Sequence, residues 1–278
     1  MRLAISNIAW ARTEDTPVSQ LLQRLQIDAI DVAPGKYFPE PAQATEAQIS
    51  QVKRWWRSRG IQITGMQSLL FGTTGLNLFA GPDSQAAMLH HLTAICRIGA
   101  GLGATRLVFG SPKNRDRSGL DESQSLEIAT SFFRRLGDIA HDHGVMICLE
   151  PNPACYGANF MLTSRETAQV VRLVAHSAIR MQLDTGALTL NGEDPGRVLN
   201  DCAELIGHVH ASEPHLVPLG DGSTDHARVM TALRGHLPNH VVTVEMLSPA
   251  GEPSLPAVER ALRAATRHYR HLESGVRA

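Results

Sequence analysis

Short apolar runs alternate with longer segments of helical periodicity along nearly the whole chain. In the longer segments the apolar residues recur three or four positions apart, as Ile49, Val52 and Trp56 do, and as others do across Asp83–Gly101. The short runs are bounded by turn-forming residues and predict β-strands. We interpret them as eight strands at Arg2–Ser6, Ile27–Val32, Ile61–Gln67, Thr105–Phe109, Val145–Glu150, Ile179–Asp184, Ile206–Ala211 and Val241–Met246.

Strict alternation of strand and helix is typical of a parallel sheet, and eight such units in 278 residues predict a closed barrel. Helix starts support this reading at Asp121 and Thr163, which are good N-cap residues. An open doubly wound sheet is the alternative, but no G-x-G-x-x-G follows the first strand. We therefore expect a single α/β domain, a (β/α)8 TIM barrel over residues 1–271, with a flexible C-terminal tail at 272–278.

Composition narrows the class of partner. Hydrophobic residues make up 43% and charged residues 19% of the chain, and the formal net charge is −1. This is typical of a globular protein, and it gives no general field for nucleic acid or an anionic membrane, so we expect a small-molecule substrate. The four cysteines are scattered without C-x-x-C spacing, and neither a signal peptide nor a membrane-length apolar stretch is evident. We expect a cytoplasmic protein.

Acidic side chains and a histidine stand at the ends of four consecutive predicted strands. They are Glu150, Asp184, His210 and Glu245. The carboxyl ends of barrel strands converge on one mouth, where three carboxylates would repel one another unless a cation lay among them. The pattern predicts one divalent metal ion, and Mn²⁺, Zn²⁺, Mg²⁺ and Co²⁺ all suit these ligands. His208 points to the same side of its strand, one layer deeper, and we interpret it as a hydrogen-bonded core histidine.

Several short motifs resemble those of one family. The chain is similar to the sugar phosphate isomerase/epimerase family of xylose-isomerase-like TIM barrels, the D-tagatose 3-epimerase-like group, at Leu149–Pro153, Leu183–Gly186, His208–Glu213, Pro218–Gly222 and Val244–Met246. The resemblance implies that Glu150, Asp184, His210 and Glu245 are the metal ligands. It also implies that Glu150 and Glu245 transfer protons, and that the protein assembles as a homodimer or homotetramer.

The chemistry of such a site explains the expected activity. A metal that chelates a carbonyl and the neighbouring hydroxyl acidifies the adjacent C–H, and the enediolate that forms is stabilised by the same ion. Glu150 and Glu245 could then remove a proton and return it. We expect a metal-dependent isomerase or epimerase of a sugar, sugar acid or sugar phosphate. Two positions depart from the family pattern, since Ala187 replaces a histidine and Leu216 an arginine.

Five further residues are candidates for substrate binding: Lys113, Arg115, Asn152, Glu213 and His226. Lys113 and Arg115 belong to a cationic loop after the fourth strand, which either captures a carboxylate or phosphate or is a solvated surface loop. Asn152 either orients the preceding glutamate or forms a turn. Glu213 either supports the metal histidine or binds substrate. His226 either contacts substrate or belongs to the start of a helix.

Three other functions compete with the isomerase. A lyase of the inosose or dehydroshikimate dehydratase type needs nearly the same groups, because proton abstraction also precedes loss of a β-hydroxyl. A nuclease of the endonuclease IV type needs additional histidines for three zinc ions, but Asp31–Val32, Met66–Gln67 and Phe109–Gly110 occupy the relevant strand ends. A barrel that binds a metabolite without catalysis is the third, and it would carry little metal.

Overall fold

The computed structural model describes residues 1–270, and the predicted tail at 272–278 lies outside the described residues. Eight parallel strands close into a barrel in chain order, because β8 pairs with β1. This confirms the predicted (β/α)8 fold. The strands are β1 (Arg2–Ser6), β2 (Ala29–Val32), β3 (Gln62–Met66), β4 (Arg106–Phe109), β5 (Met146–Leu149), β6 (Ile179–Asp184), β7 (Ile206–Ser212) and β8 (Val241–Glu245).

Helices surround the barrel and connect successive strands. Between β6 and β7 the described chain has two helices instead of one, a short one that begins directly after Asp184 and a second one. The helices are α1 (Asp15–Arg24), α2 (Glu46–Arg57), α3 (Pro82–Leu102), α4 (Glu122–Asp142), α5 (Ser164–Val174), α6 (Thr185–Asn191), α7 (Pro195–Cys202), α8 (His226–His236) and α9 (Ser254–Tyr269). In residues 1–270 none of the helices is both long and apolar enough to cross a membrane.

Polar caps fix where two of the long helices begin. Asp121 Oδ1 accepts a hydrogen bond from the Gln124 backbone N–H at 2.8 Å, and Thr163 Oγ1 accepts one from the Glu166 N–H at 3.2 Å. Each cap satisfies a backbone donor that has no partner inside its helix. The two predicted helix starts are therefore confirmed.

The barrel interior is more polar than the layer between the strands and the helices. The outer layer is apolar and includes Trp56, Phe132 and Phe133, all of them fully buried. Polar side chains cross the interior, as the contact between Asp31 on β2 and His208 on β7 shows. These two strands are not neighbours in the barrel, so their contact spans its interior. The polar layer lies beneath the mouth and supports the site described next.

Candidate metal centre and active site

The structure brings the four predicted metal ligands together at the carboxyl ends of β5 to β8. Glu150, Asp184, His210 and Glu245 each offer one ligand atom, and these atoms lie within 4.8 Å of one another. His210 Nδ1 lies 3.7 Å from Glu150 Oε1 and 3.3 Å from Glu245 Oε2. Four consecutive strands thus direct three carboxylates and one imidazole at a common point.

Because the cluster is buried, the negative charges of its carboxylates are energetically costly. Asp184 and Glu245 are only 7% and 8% exposed. Burial, together with the charges of Glu245 and Glu150, raises the pKa of Asp184 to about 7. Burial alone would lower the pKa of His210, but the two glutamates outweigh it and hold that pKa well above 6.5. The cluster therefore gathers more negative charge than its own histidine neutralises, and this donor set fits a divalent cation.

Asp184 is fixed by groups on two sides. Its Oδ1 accepts a hydrogen bond from the Ala187 backbone N–H at 2.7 Å and so caps α6, and its Oδ2 accepts one from Ser212 Oγ at 2.6 Å. A Cβ atom on Gly186 would lie 2.8 Å from the Glu213 carbonyl oxygen. The Asp-Thr-Gly sequence therefore contains a predicted metal ligand and the start of α6, and its glycine lets the ends of β6 and β7 approach each other closely.

Glu150 follows β5 directly and is held by its surroundings. A Cβ atom on Gly110 would collide with Glu150 Oε2, so the carboxylate occupies space that only glycine leaves free. Asn152 Nδ2 donates to the Gly110 carbonyl oxygen at 2.7 Å and lies 3.3 Å from Glu150 Oε2. The orienting role for Asn152, one of its two predicted interpretations, is the one that these contacts favour.

The two cationic side chains of the loop after β4 lie in different surroundings, and neither is placed as in a simple anion-binding loop. Lys113 is exposed, whereas Arg115 is fully buried and donates from Nη1 to the Glu150 carbonyl oxygen at 2.7 Å. Burial lowers the pKa of Arg115 to about 10 against the opposing charge of Glu150. Its Nε and Nη2 atoms have no hydrogen-bond partner among the described residues. These contacts favour the interpretation that Arg115 supports the backbone of Glu150.

Glu213 and His226 belong to a buried network beside the cluster. Glu213 accepts hydrogen bonds from the backbone N–H groups of Gly220 and Thr224, both at 2.9 Å, and from His226 Nε2 at 3.0 Å. Burial would raise the pKa of Glu213, but these donors outweigh it and lower the pKa to about 2. His226 Nδ1 lies 2.6 Å from the hydroxyl of Tyr269. These contacts favour a structural role for both residues in the loop after β7.

A cavity of about 200 Å³ adjoins the two glutamates. Its wall is partly apolar and partly polar, formed by Gln67, Ser68, Leu69, Leu70, Phe71, Val108, Phe109, Gly110, Ser111, Glu150 and Glu245. Within residues 1–270, neither lysine nor arginine lines it. The cavity therefore combines an acidic end with an uncharged wall.

Gln67 lines this cavity as well, although it was not among the predicted site residues. Its Nε2 donates to Glu245 Oε1 at 2.5 Å, which leaves Glu245 Oε2 on the side of His210. Gln67 ends the third predicted strand, at the same barrel mouth as the four predicted ligands. Asking which polar residue ends each strand, and not only which acid or histidine, would have identified it.

The fold and the cluster define a class of protein, the (β/α)8 barrels with an acidic, histidine-containing site at the carboxyl ends of the strands. Within that class, the sequence model of the family described as xylose isomerase-like TIM barrel matches residues 20–270. The chain belongs to this family. No curated protein sequence matches the chain significantly.

Solved structures share the fold at low sequence identity. D-psicose 3-epimerase from Clostridium cellulolyticum H10, solved with D-tagatose, superposes with a TM-score of 0.80 at 18% identity, covering 96% of this chain and 99% of that one. The 3-keto-D-glucoside 4-epimerase YcjR from E. coli gives 0.77 at 17% identity and covers 95% and 98%. The IOLI protein with a bound zinc atom gives 0.72 at 15% identity and covers 98% and 100%.

Proposed function

We propose that the protein is a divalent-metal-dependent isomerase or epimerase of a small, neutral, polyhydroxylated carbonyl compound. The observation that carries the proposal is the convergence of Glu150, Asp184, His210 and Glu245 beside a cavity at the barrel mouth. The sugar epimerases among the structural neighbours support the same class of reaction. These neighbours are similar in fold, and the chemistry of this chain's own residues is the main support for the proposal.

In the proposed reaction the ion and the two glutamates have different roles. A divalent ion held by the four ligands would polarise the substrate carbonyl and acidify the adjacent C–H. One glutamate then takes the proton from that carbon. In an epimerase, the other glutamate returns a proton to the opposite face of the same carbon, which inverts its configuration. In an isomerase, the proton goes instead to the former carbonyl carbon while the hydroxyl proton passes to the other oxygen, which moves the carbonyl. Gln67 holds one oxygen of Glu245, so the other oxygen is oriented toward the cluster. Asn152 holds one carboxylate oxygen of Glu150, and Arg115 holds the Glu150 backbone carbonyl.

The lining of the cavity favours a neutral substrate over a sugar acid or sugar phosphate. Its charged members within the described chain are Glu150 and Glu245, and a phosphate beside them would be repelled. Lys113 is exposed and Arg115 is enclosed behind the Glu150 backbone, and neither lines the cavity. The apolar wall of Leu69, Leu70 and Phe71 suits the C–H face of a sugar.

The experiment that tests this proposal is incubation of the Mn²⁺-loaded protein in D₂O with D-psicose, D-tagatose, D-fructose and D-fructose 6-phosphate. We expect deuterium at the carbon next to the carbonyl of at least one neutral ketose, seen by NMR and mass spectrometry, and its loss after chelation of the metal. An unsaturated product that has lost water would instead identify a lyase. Absence of deuterium from every compound of the panel would overturn the proposed function.

A further inference from the structure

A buried carboxylate lies behind the metal cluster and plays no part in the reaction described above. Asp31 is the penultimate residue of β2 and is completely buried in the barrel interior. A buried, ionised carboxylate is costly unless it is paired and hydrogen-bonded. Its Oδ2 lies 2.6 Å from His208 Nε2, and its Oδ1 accepts a hydrogen bond from Thr64 Oγ1 at 3.0 Å.

The neighbouring backbone also accommodates this carboxylate. A Cβ atom on Gly65 would lie 2.6 Å from Asp31 Oδ1, so a side chain at position 65 would displace the carboxylate. The site is therefore built by residues of β2, β3 and β7 together. A residue that merely filled the interior would not need such an arrangement.

His210 connects this carboxylate to the metal cluster. Its Nδ1 faces Glu150 and Glu245, whereas its Nε2 is buried, has no hydrogen-bond partner among the described residues, and lies 3.9 Å from Asp31 Oδ2. If Nδ1 binds an ion, a neutral imidazole carries its proton on Nε2. That proton becomes a stronger donor, and Asp31 is the carboxylate it faces. A shift of about 1 Å brings the two atoms to hydrogen-bond distance.

We propose that Asp31 is a positioning residue of the metal site, which holds the ring of His210 so that Nδ1 faces the ion, and that His208 and Thr64 hold Asp31 in turn. Carboxylates commonly orient metal-binding histidines in this way, and their loss weakens metal binding. The inference rests on the proposed metal site but not on the identity of the substrate.

A second ion at Asp31, His208 and His210 is the competing interpretation, since the three residues also form a cluster with ligand atoms within 4.8 Å. The 2.6 Å between Asp31 Oδ2 and His208 Nε2 is a hydrogen-bond distance. Two ligands of one ion, each about 2.1 Å from it, normally lie roughly 3 Å or more apart. A second ion would also require His210 to bind metal through both nitrogens. The hydrogen-bonded arrangement is the simpler one.

The test is the Mn²⁺ dissociation constant of Asp31→Asn, measured by isothermal titration calorimetry on the full-length protein. We expect binding about 10- to 100-fold weaker than in the wild type, with one ion per chain in both. Asp15→Asn is the matched control, because Asp15 is also buried and hydrogen-bonded, to Trp10 and Tyr37. The control should bind Mn²⁺ with nearly unchanged affinity. Wild-type affinity in Asp31→Asn would overturn the proposal, and loss of one of two bound ions would establish the second-ion site instead.

A measurement on the wild type keeps the inference testable if Asp31→Asn fails to fold. In the Zn²⁺-loaded protein with ¹⁵N-labelled histidines, we expect His210 to bind through Nδ1 and to carry a hydrogen-bonded Nε2 proton. Binding through Nε2 would contradict the proposal. Neither experiment depends on turnover, so the two proposals can fail separately. If the protein binds Mn²⁺ through His210 with support from Asp31 but exchanges no deuterium, the proposed function is disproved and the role of Asp31 stands. A wild type that binds no Mn²⁺ would overturn both.

Discussion

Glu150 and Glu245 are chemically equivalent residues held in different ways. Glu245 accepts a hydrogen bond from a side chain, that of Gln67. Glu150 lies beside a glycine and is fixed chiefly through Asn152 and through its own backbone carbonyl. Each carboxylate therefore keeps one oxygen directed toward the cluster. A two-base reaction needs this kind of fixed geometry on both sides of the reacting carbon.

Replacement of either glutamate by glutamine should abolish turnover and spare the fold. Both Glu150→Gln and Glu245→Gln lose a proton acceptor and an anionic ligand, so we expect a drop in kcat of at least about 10³-fold. Deuterium exchange in the metal-loaded variants measures it. Glu127→Gln, at an exposed acid on α4, is the control and should behave like the wild type. Appreciable exchange in either active-site variant would contradict the assigned roles.

Removal of the Gln67 amide should impair the reaction without removing a metal ligand. Gln67→Met keeps the approximate volume but frees Glu245 Oε1, so the carboxylate loses its fixed orientation. We expect kcat to fall by about 10- to 100-fold, with a smaller change in Mn²⁺ affinity. Steady-state kinetics and calorimetry separate the two effects. An unchanged kcat would show that Glu245 needs no such support.

A methyl group at position 110 should disturb Glu150 directly. In Gly110→Ala the new Cβ occupies the place of Glu150 Oε2, so the carboxylate must move away from the other ligands. We expect Mn²⁺ affinity to fall by about 10-fold or more. Gly35→Ala is the matched control, because a Cβ there meets no atom within 4 Å. Equal metal affinity in the two variants would show that the cluster tolerates displacement of Glu150.

Among the elements, the segment between β7 and α8 owes its shape to Glu213. This carboxylate accepts hydrogen bonds from two backbone N–H groups of the segment and from His226 at the start of α8. The segment also contains His215 and Leu216 with φ of 61° and 56°, a left-handed backbone that is unfavourable for a leucine. A buried anchor that outweighs this cost explains why the segment keeps its conformation.

The substitution Glu213→Gln should destabilise the protein in a pH-dependent way. The folded-state pKa of Glu213 is about 2, below the ordinary 4.5, so its ionised form stabilises the fold above pH 4.5, and this stabilisation is lost as the pH falls toward 2. We expect a loss of about 1–3 kcal/mol at neutral pH, which shrinks below pH 4.5. Thermal unfolding at several pH values measures it. A loss that stays constant down to pH 2 would contradict the anchoring role.

The elements themselves follow from local patterns, and for that reason the sequence predicted them well. Residues near each other in the chain set the apolar periodicity and the caps at Asp121 and Thr163, and the structure has all eight predicted strands. The bounds of β1 and β6 are as predicted, and the ends of the other strands shift by one or two residues, as at β2, which begins at Ala29 and not at Ile27. The short helix α6 was not predicted, because its start depends on Asp184, which the sequence indicated as a metal ligand.

The supporting contacts of the site could not be predicted, because they depend on how the whole barrel closes. The hydrogen bond of Gln67 to Glu245 joins residues 178 positions apart, and the contact of His208 with Asp31 spans 177. Strand register and side-chain conformation decide such contacts, and neither can be predicted from the patterns of a single sequence. The loop with Lys113 and Arg115 shows the same limit. Its positive charge suggested that it binds an anionic ligand, whereas the burial of Arg115 favours a structural role for that residue. The predicted homodimer or homotetramer stays a prediction.

For the molecule as a whole, metal binding should be linked to pH. The pKa of Asp184 is about 7 without an ion, and only the ionised carboxylate binds a cation, so below pH 7 binding must release a proton. His210, whose pKa lies well above 6.5, must also lose a proton to bind through Nδ1, so we expect the Mn²⁺ affinity to depend on pH above pH 7 as well. Below pH 7, where two protons are released, we expect it to fall by up to about 100-fold for each pH unit. Calorimetry between pH 5.5 and pH 8.5 measures this. An affinity that is constant over the range would show that neither Asp184 nor His210 loses a proton when the ion binds.

The most direct test of the account is anomalous X-ray diffraction from crystals of the protein loaded with Mn²⁺. We predict one anomalous peak per chain, surrounded by Glu150, Asp184, His210 and Glu245, with His210 bound through Nδ1. Bond lengths of about 2.0–2.3 Å are expected for such ligands. A peak elsewhere in the barrel, or no peak at saturating Mn²⁺, would contradict the central claim that these four side chains form a metal site.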